Sequence, residues 1–157
     1  MKKCCFISLI LLVLFSCNEE KVFEEYKKIE DQIWNSDSIL YFNYLITDTI
    51  SEYEINLKIR HNVDYEFSNL YVFLEQDNVK DTLEIVLAEK DGKWKGKGIG
   101  KMRELEKVIE QNKTYNSKNH YTITIEHAMR YGKEEKITSL KNISFLGVTI
   151  KKQHAKD

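Results

Sequence analysis

The sequence predicts an all-β protein, an antiparallel β-sandwich of about eight strands. Three observations predict it. Apolar residues recur at every second position through most of the chain, which is the period of a strand with one face buried. Clusters of Asn, Asp, Ser and Gly separate these stretches, as turns require. Strands with one apolar and one polar face suit antiparallel sheets that hide one side each, and two facing sheets hide all of them.

Taken in order, residues 22–26 form a first short strand. Residues 39–46 are a continuous apolar and aromatic run, the composition of a strand covered on both sides. Ile55, Leu57 and Ile59 alternate with Glu54, Asn56, Lys58 and Arg60. Residues 70–74 are again continuous, with Tyr71 and Phe73 on one face and Leu70, Val72 and Leu74 on the other. Leu83, Ile85 and Leu87 alternate, as do Tyr121, Ile123 and Ile125, and Leu146, Val148 and Ile150. Turns fall at 47–51, 62–64, 76–78, Asp91-Gly92, 116–119 and Gly132. Residues 101–111 break the pattern: Met102, Leu105 and Ile109 fall at helical spacing, which predicts a short amphipathic helix near 102–111. The alternative is a polar connection containing an irregular strand. The domain is expected to span 22–152, with 153–157 a disordered tail.

The N-terminus carries a different signal. Lys2 and Lys3 precede an almost unbroken apolar run at 6–15, and Leu14-Phe15-Ser16 leads into Cys17. A spanning helix needs about 20 apolar residues, and an ordinary signal peptide ends in small residues around its cut. The layout is that of a bacterial lipoprotein signal over 1–16, with Cys17 acylated through its thiol, which no other side chain can replace. Two or three acyl chains, palmitate among them, anchor stably where one is marginal. Residues 17–21 are then the lipidated N-terminus and a charged tether.

Cleavage before Cys17 leaves 141 of the 157 residues, enough for one domain with a core. Cys4 and Cys5 leave with the leader and the lipid consumes Cys17, so the mature domain has no free thiol, disulfide or thiolate metal site. The formal charge moves from −1 to −3 on loss of Lys2 and Lys3, with both signs interspersed. That is not the basic field of a nucleic-acid binder. Proline is absent, which leaves lysines to guard exposed sheet edges.

Chemistry-bearing residues are dispersed. His61, His120, His127 and His154 have no metal spacing, and no Gly-x-Ser-x-Gly elbow occurs. Neither an enzyme, a metal nor a cofactor is expected. Gly96, Gly98 and Gly100 interleave with Lys93, Lys95 and Lys97, but without a P-loop ending or a dinucleotide fingerprint. They suit tight bends or a bulge. Trp94 among its lysines is a candidate interface anchor, since Trp is enriched in hot spots, and Tyr65 and Tyr71 belong to an aromatic run that would serve a partner or the core.

Three segments resemble one family. Asn62-Val63-Asp64-Tyr65-Glu66-Phe67-Ser68-Asn69-Leu70-Tyr71-Val72-Phe73, Asp91-Gly92-Lys93-Trp94-Lys95-Gly96-Lys97-Gly98 and Ile125-Glu126-His127-Ala128-Met129-Arg130 resemble blocks of the gliding-motility lipoprotein GldH family, in the same order. Val22-Phe23-Glu24-Glu25-Tyr26 is similar to the segment that follows its lipid site. The chain departs from the family in lacking its prolines and over 101–119. The resemblance implies a non-catalytic envelope lipoprotein supporting gliding motility and type IX protein secretion. It would be anchored to the outer membrane, on the periplasmic face with the cell surface as the alternative, and partnered by other gliding and secretion proteins of the envelope. A lipid-anchored glycan- or peptide-binding sandwich is the alternative.

Overall fold

The computed structural model describes residues 20–133 and 135–153. Ten strands run through them: β1 Glu20–Lys28, β2 Ile33–Asn35, β3 Leu40–Ile46, β4 Glu52–Asn62, β5 Asn69–Gln76, β6 Val79–Val86, β7 Met102–Lys113, β8 Asn119–His127, β9 Ser139–Lys141 and β10 Ile143–Gln153. Eight of these make two four-stranded antiparallel sheets, ordered β1-β10-β4-β7 and β3-β8-β5-β6, while β2 and β9 pair as a small ribbon. A single 3-10 turn at Glu30–Gln32 links β1 to β2. The chain is an all-β sandwich. Cys17 and the leader expected over 1–16 lie outside the described residues.

The period-two residues make the core. Ile55, Leu57 and Ile59 of β4 and Leu146, Val148 and Ile150 of β10 are buried together with Phe42, Tyr44 and Ile46 of β3, Leu70 and Val72 of β5, and Ile123 and Ile125 of β8. Each such aliphatic side chain contributes about 1.5–3 kcal/mol relative to an exposed one. On the outer face of the first sheet, Glu24 ties β1 to β4 through Lys58 Nζ at 2.6 Å, and the hydrogen bonds from Lys21 and then Lys58 lower its carboxyl to a pKa of about 2.

Two segments differ from expectation. Residues 102–113 are not helical but form β7, the edge strand beside β4. The register slips twice around Ile55, and Lys107 occupies an inward slot opposite Leu57, between Leu105 and Ile109. Its Nζ donates to Glu84 O of the opposite sheet at 3.0 Å. A bulged edge strand with an inward lysine loses its apolar alternation, and both devices discourage edge-to-edge pairing. The run at 39–46 is also not covered on both sides: β3 is an edge strand with Tyr41 51% and Leu45 49% exposed.

The register fixes the two ends of the sandwich. Glu20 pairs with Lys152 and Gln153 with Glu52, so both ends of the domain lie beside the 47–51, 77–78 and 114–118 connections. At the other end Lys28 pairs with Phe145, His61 with Ile143 and Asn69 with Val86. There the long connections over 63–68, 87–101 and 128–138 gather, together with the β2–β9 ribbon. We call these the terminal end and the loop end.

Candidate interaction site at the loop end

Local hydrogen bonding shapes the loop end. Asn62 starts a turn in which its Oδ1 accepts from Asp64 N at 3.1 Å and its carbonyl from Tyr65 N at 3.1 Å. The turn folds Tyr65 inward, where it is 4% exposed and its hydroxyl donates to Asn69 O at 3.0 Å. Asp91-Gly92 makes the second turn: Gly92 sits at φ +85°, and Asp91 Oδ1 accepts from Lys93 N at 3.0 Å. The returning strand bridges Trp94 to Ala88 and donates Lys95 N to Leu87 O at 2.8 Å.

These turns bring distant aromatics into one row. The Trp94 ring centroid is 4.7 Å from His61 and 6.5 Å from Tyr65, Tyr65 is 5.6 Å from Phe67, and Phe67 is 6.0 Å from Tyr131. Burial runs from His61, fully enclosed, to Tyr131, 72% exposed. Beside the exposed end lies an open cleft of about 460 Å³ lined by Glu66, Phe67, Tyr131, Lys133, Ile137 and Lys141, among others. Trp94 and Tyr65 thus belong to one cluster, with Trp94 partly exposed and Tyr65 inside. Tyr71 stands apart on the outer face of β5, opposite Glu84 of β6, whose carboxylate raises the pKa of the phenol.

Two buried histidines were missed as members of this end. His61 Nδ1 lies 2.9 Å from Asn62 O, which leaves a buried Nε2 without a partner. His127, 4% exposed, packs edge-on to Trp34 at 5.3 Å, and neither of its ring nitrogens reaches a partner in hydrogen-bond geometry. The alternation itself marks both: each sits two residues past an apolar series, Ile55-Leu57-Ile59 and Ile123-Ile125, in a core slot. Among the described residues no three His, Cys, Asp or Glu side chains come together as a metal site.

Burial lowers the pKa of both histidines. Above the ordinary value of about 6.5 they are neutral folded or unfolded. As pH falls below it, the unfolded chain takes up protons that the folded chain refuses, so stability falls. The urea midpoint is expected to stay level from pH 8 to 7 and to drop between about 6.5 and 5, before carboxylates contribute. The double variant His61→Gln and His127→Gln should flatten that slope, and an unchanged slope would assign it to other groups.

The chain is similar to known proteins over most of its length. Residues 21–150 match the family model described as GldH lipoprotein. A gliding motility lipoprotein GldH homolog of Christiangramia forsetii is 31% identical over 154 residues, with 94% of each chain covered. The gliding motility lipoprotein GldH of Flavobacterium johnsoniae is 28% identical over 151 residues, covering 92% of this chain and 93% of its own. Among solved structures, dimeric latent PorU from Porphyromonas gingivalis aligns with 88% of this chain and 14% of its own at a TM-score of 0.38 and 8% identity, too distant to bear on function. With the model matched from β1 into β10, over residues 21–150, the chain belongs to the GldH lipoprotein family.

Proposed function

We propose that the protein is an envelope lipoprotein that supports gliding motility and type IX protein secretion by binding other envelope proteins, without catalysis. Acyl chains on Cys17 would hold it to the outer membrane, on the periplasmic face. The observation that carries this reading is the GldH family match across residues 21–150. The aromatic row supports a binding role, because it ends in an exposed Tyr131 and an open cleft and its charged neighbours pair off: Lys101 with Asp64 at 3.0 Å and Lys95 with Glu89 at 3.4 Å.

Cross-linking in intact cells, followed by identification of captured proteins, tests the reading. Trp94, Phe67 and Tyr131 are the positions at which to place photo-reactive groups. Envelope components of motility or secretion are the expected catch, and a deletion strain that glides and secretes normally would refute the proposal. Cys17→Ser is expected to leave the precursor uncut and without lipid, and to abolish function. A soluble chain with residues 1–16 removed should still show the fold by circular dichroism.

A second reading rests on Phe67 and Tyr131 at the cleft. The exposed Tyr131 ring and the half-buried Phe67 beside Lys133 and Lys141 suit a glycan or an extended peptide. Saturable glycan binding by the soluble domain that is lost in Tyr131→Ala, with no cross-linked protein in cells, would favour it.

A further inference from the structure

The terminal end carries an exposed side chain that packing does not explain. Ile50 is 93% exposed, yet the connection presenting it is firmly held. Asp48 Oδ1 accepts from Ile50 N at 2.9 Å, Asp48 Oδ2 from Ser51 Oγ at 2.9 Å, and the Asp48 carbonyl from Tyr53 OH at 2.6 Å. Lys152 Nζ lies 2.6 Å from Asp48 Oδ2. These contacts hold the Asp48 carboxyl well below the usual carboxylate range. So many bonds to one aspartate make a stiff mount, and what it mounts is a bare aliphatic group.

The mount is coupled to the point where the chain enters the domain, because Lys152 is the register partner of Glu20 at the start of β1. Cys17 stands three residues before Glu20. Three residues reach about 10 Å at full extension. Acyl chains on Cys17 therefore bring the bilayer surface to within about that distance of Glu20, less than the thickness of a single β-sheet pair at about 10 Å spacing plus its side chains. An aliphatic side chain held out on that end has lipid as its nearest apolar phase.

We propose that the terminal end of the sandwich rests on the bilayer, with Ile50 inserted among the headgroups as a second contact beside the lipid on Cys17. The proposal rests on the acylation of Cys17. The domain then stands upright. β4 and β10, 11 residues each, rise about 3.3 Å per residue and carry the loop end roughly 35 Å from the membrane. Single-point anchoring becomes two-point anchoring, and the aromatic row is presented outward instead of pivoting about one point. Ile99, 92% exposed but at the loop end, is the built-in control.

The acylated full chain, reconstituted in phosphatidylethanolamine–phosphatidylglycerol vesicles, provides the test. Its mature form has no thiol besides the acylated one, so Ile50→Cys and Ile99→Cys each accept a single spin label. The label at 50 is expected to be accessible to oxygen and shielded several-fold from a water-soluble nickel chelate, and the label at 99 to behave in the opposite way. In the unlabelled parent chain, vesicles should slow amide hydrogen exchange at 49–51 and leave 97–100 unchanged. Equal chelate access at 50 and 99 in protein that floats with vesicles and carries the acyl mass would overturn the proposal. Protein that neither floats nor carries that mass would overturn the acylation itself, and the proposal with it.

Discussion

Gly96→Ala is expected to cost about 2–4 kcal/mol of stability, from left-handed strain together with two lost backbone hydrogen bonds. Gly96 sits at φ +80°, and a Cβ there would stand 2.1 Å from Glu104 O. The next residue, Lys97, exchanges both backbone bonds with Glu104, at 2.9 and 2.7 Å. Gly98 is as confined, its Cβ position lying 1.9 Å from Met102 O. Glu104 cannot yield, since it is the register partner of Arg60 on β4 and its carboxylate holds Arg60 Nη2 at 2.7 Å. The Gly-rich segment must therefore lift off β7, uncovering part of that strand's free edge and loosening Trp94 two residues upstream. Gly92→Ala is the matched control. Gly92 has positive φ but nothing within 4 Å of its Cβ position, so it is expected to cost only about 1 kcal/mol. Equal losses for the two variants in urea unfolding would sink the close-approach explanation.

Trp34→Ala is expected to be still more damaging, at about 3–5 kcal/mol for an enclosed tryptophan. Trp34 is 1% exposed, donates Nε1 to Ser38 O at 3.0 Å and packs edge-on to His127. It is also the middle residue of β2, paired with buried Leu140 of β9. Removing it empties the space between the ribbon and His127 of β8. Trp34→Phe keeps most of the volume and loses the hydrogen bond, so about 1–2 kcal/mol is expected. Thermal unfolding of the soluble domain separates the two, and a Trp34→Ala chain as stable as its parent would show that the ribbon is not part of the cooperative unit.

What was legible in the sequence follows from how each strand is covered. β4, β8 and β10 have one side in the core and the other in water or under polar neighbours, so their period is plain. β7 hid because an inward Lys107 interrupts Leu105 and Ile109 and because its register slips beside Ile55. β2 and β9 hid because three residues cannot display a period. β3 misled in the opposite direction: its outer Tyr41 and Leu45 are apolar without being covered, and composition alone does not distinguish those cases. At the loop end, Trp94 and Tyr65 were visible as aromatics near turns. Their meeting with His61 was not, since it requires the 87–101 connection to fold back on the end of β4. His61 and His127 were legible in principle, as polar residues in apolar slots, but a search for ligand spacing passes over them.

The pairing of β1 with β10 has a mechanical consequence. β1 runs from the terminal end toward the loop end and is joined to β10 at eight register positions between Glu20 and Lys28. In an antiparallel pair the backbone hydrogen bonds lie across the strands. Tension between a partner gripping the loop end and a lipid anchored ahead of Glu20 would pull along β1, loading those bonds together in shear. None would be peeled first, so with the lipid on Cys17 as proposed, β1 would be the strand best placed to carry force.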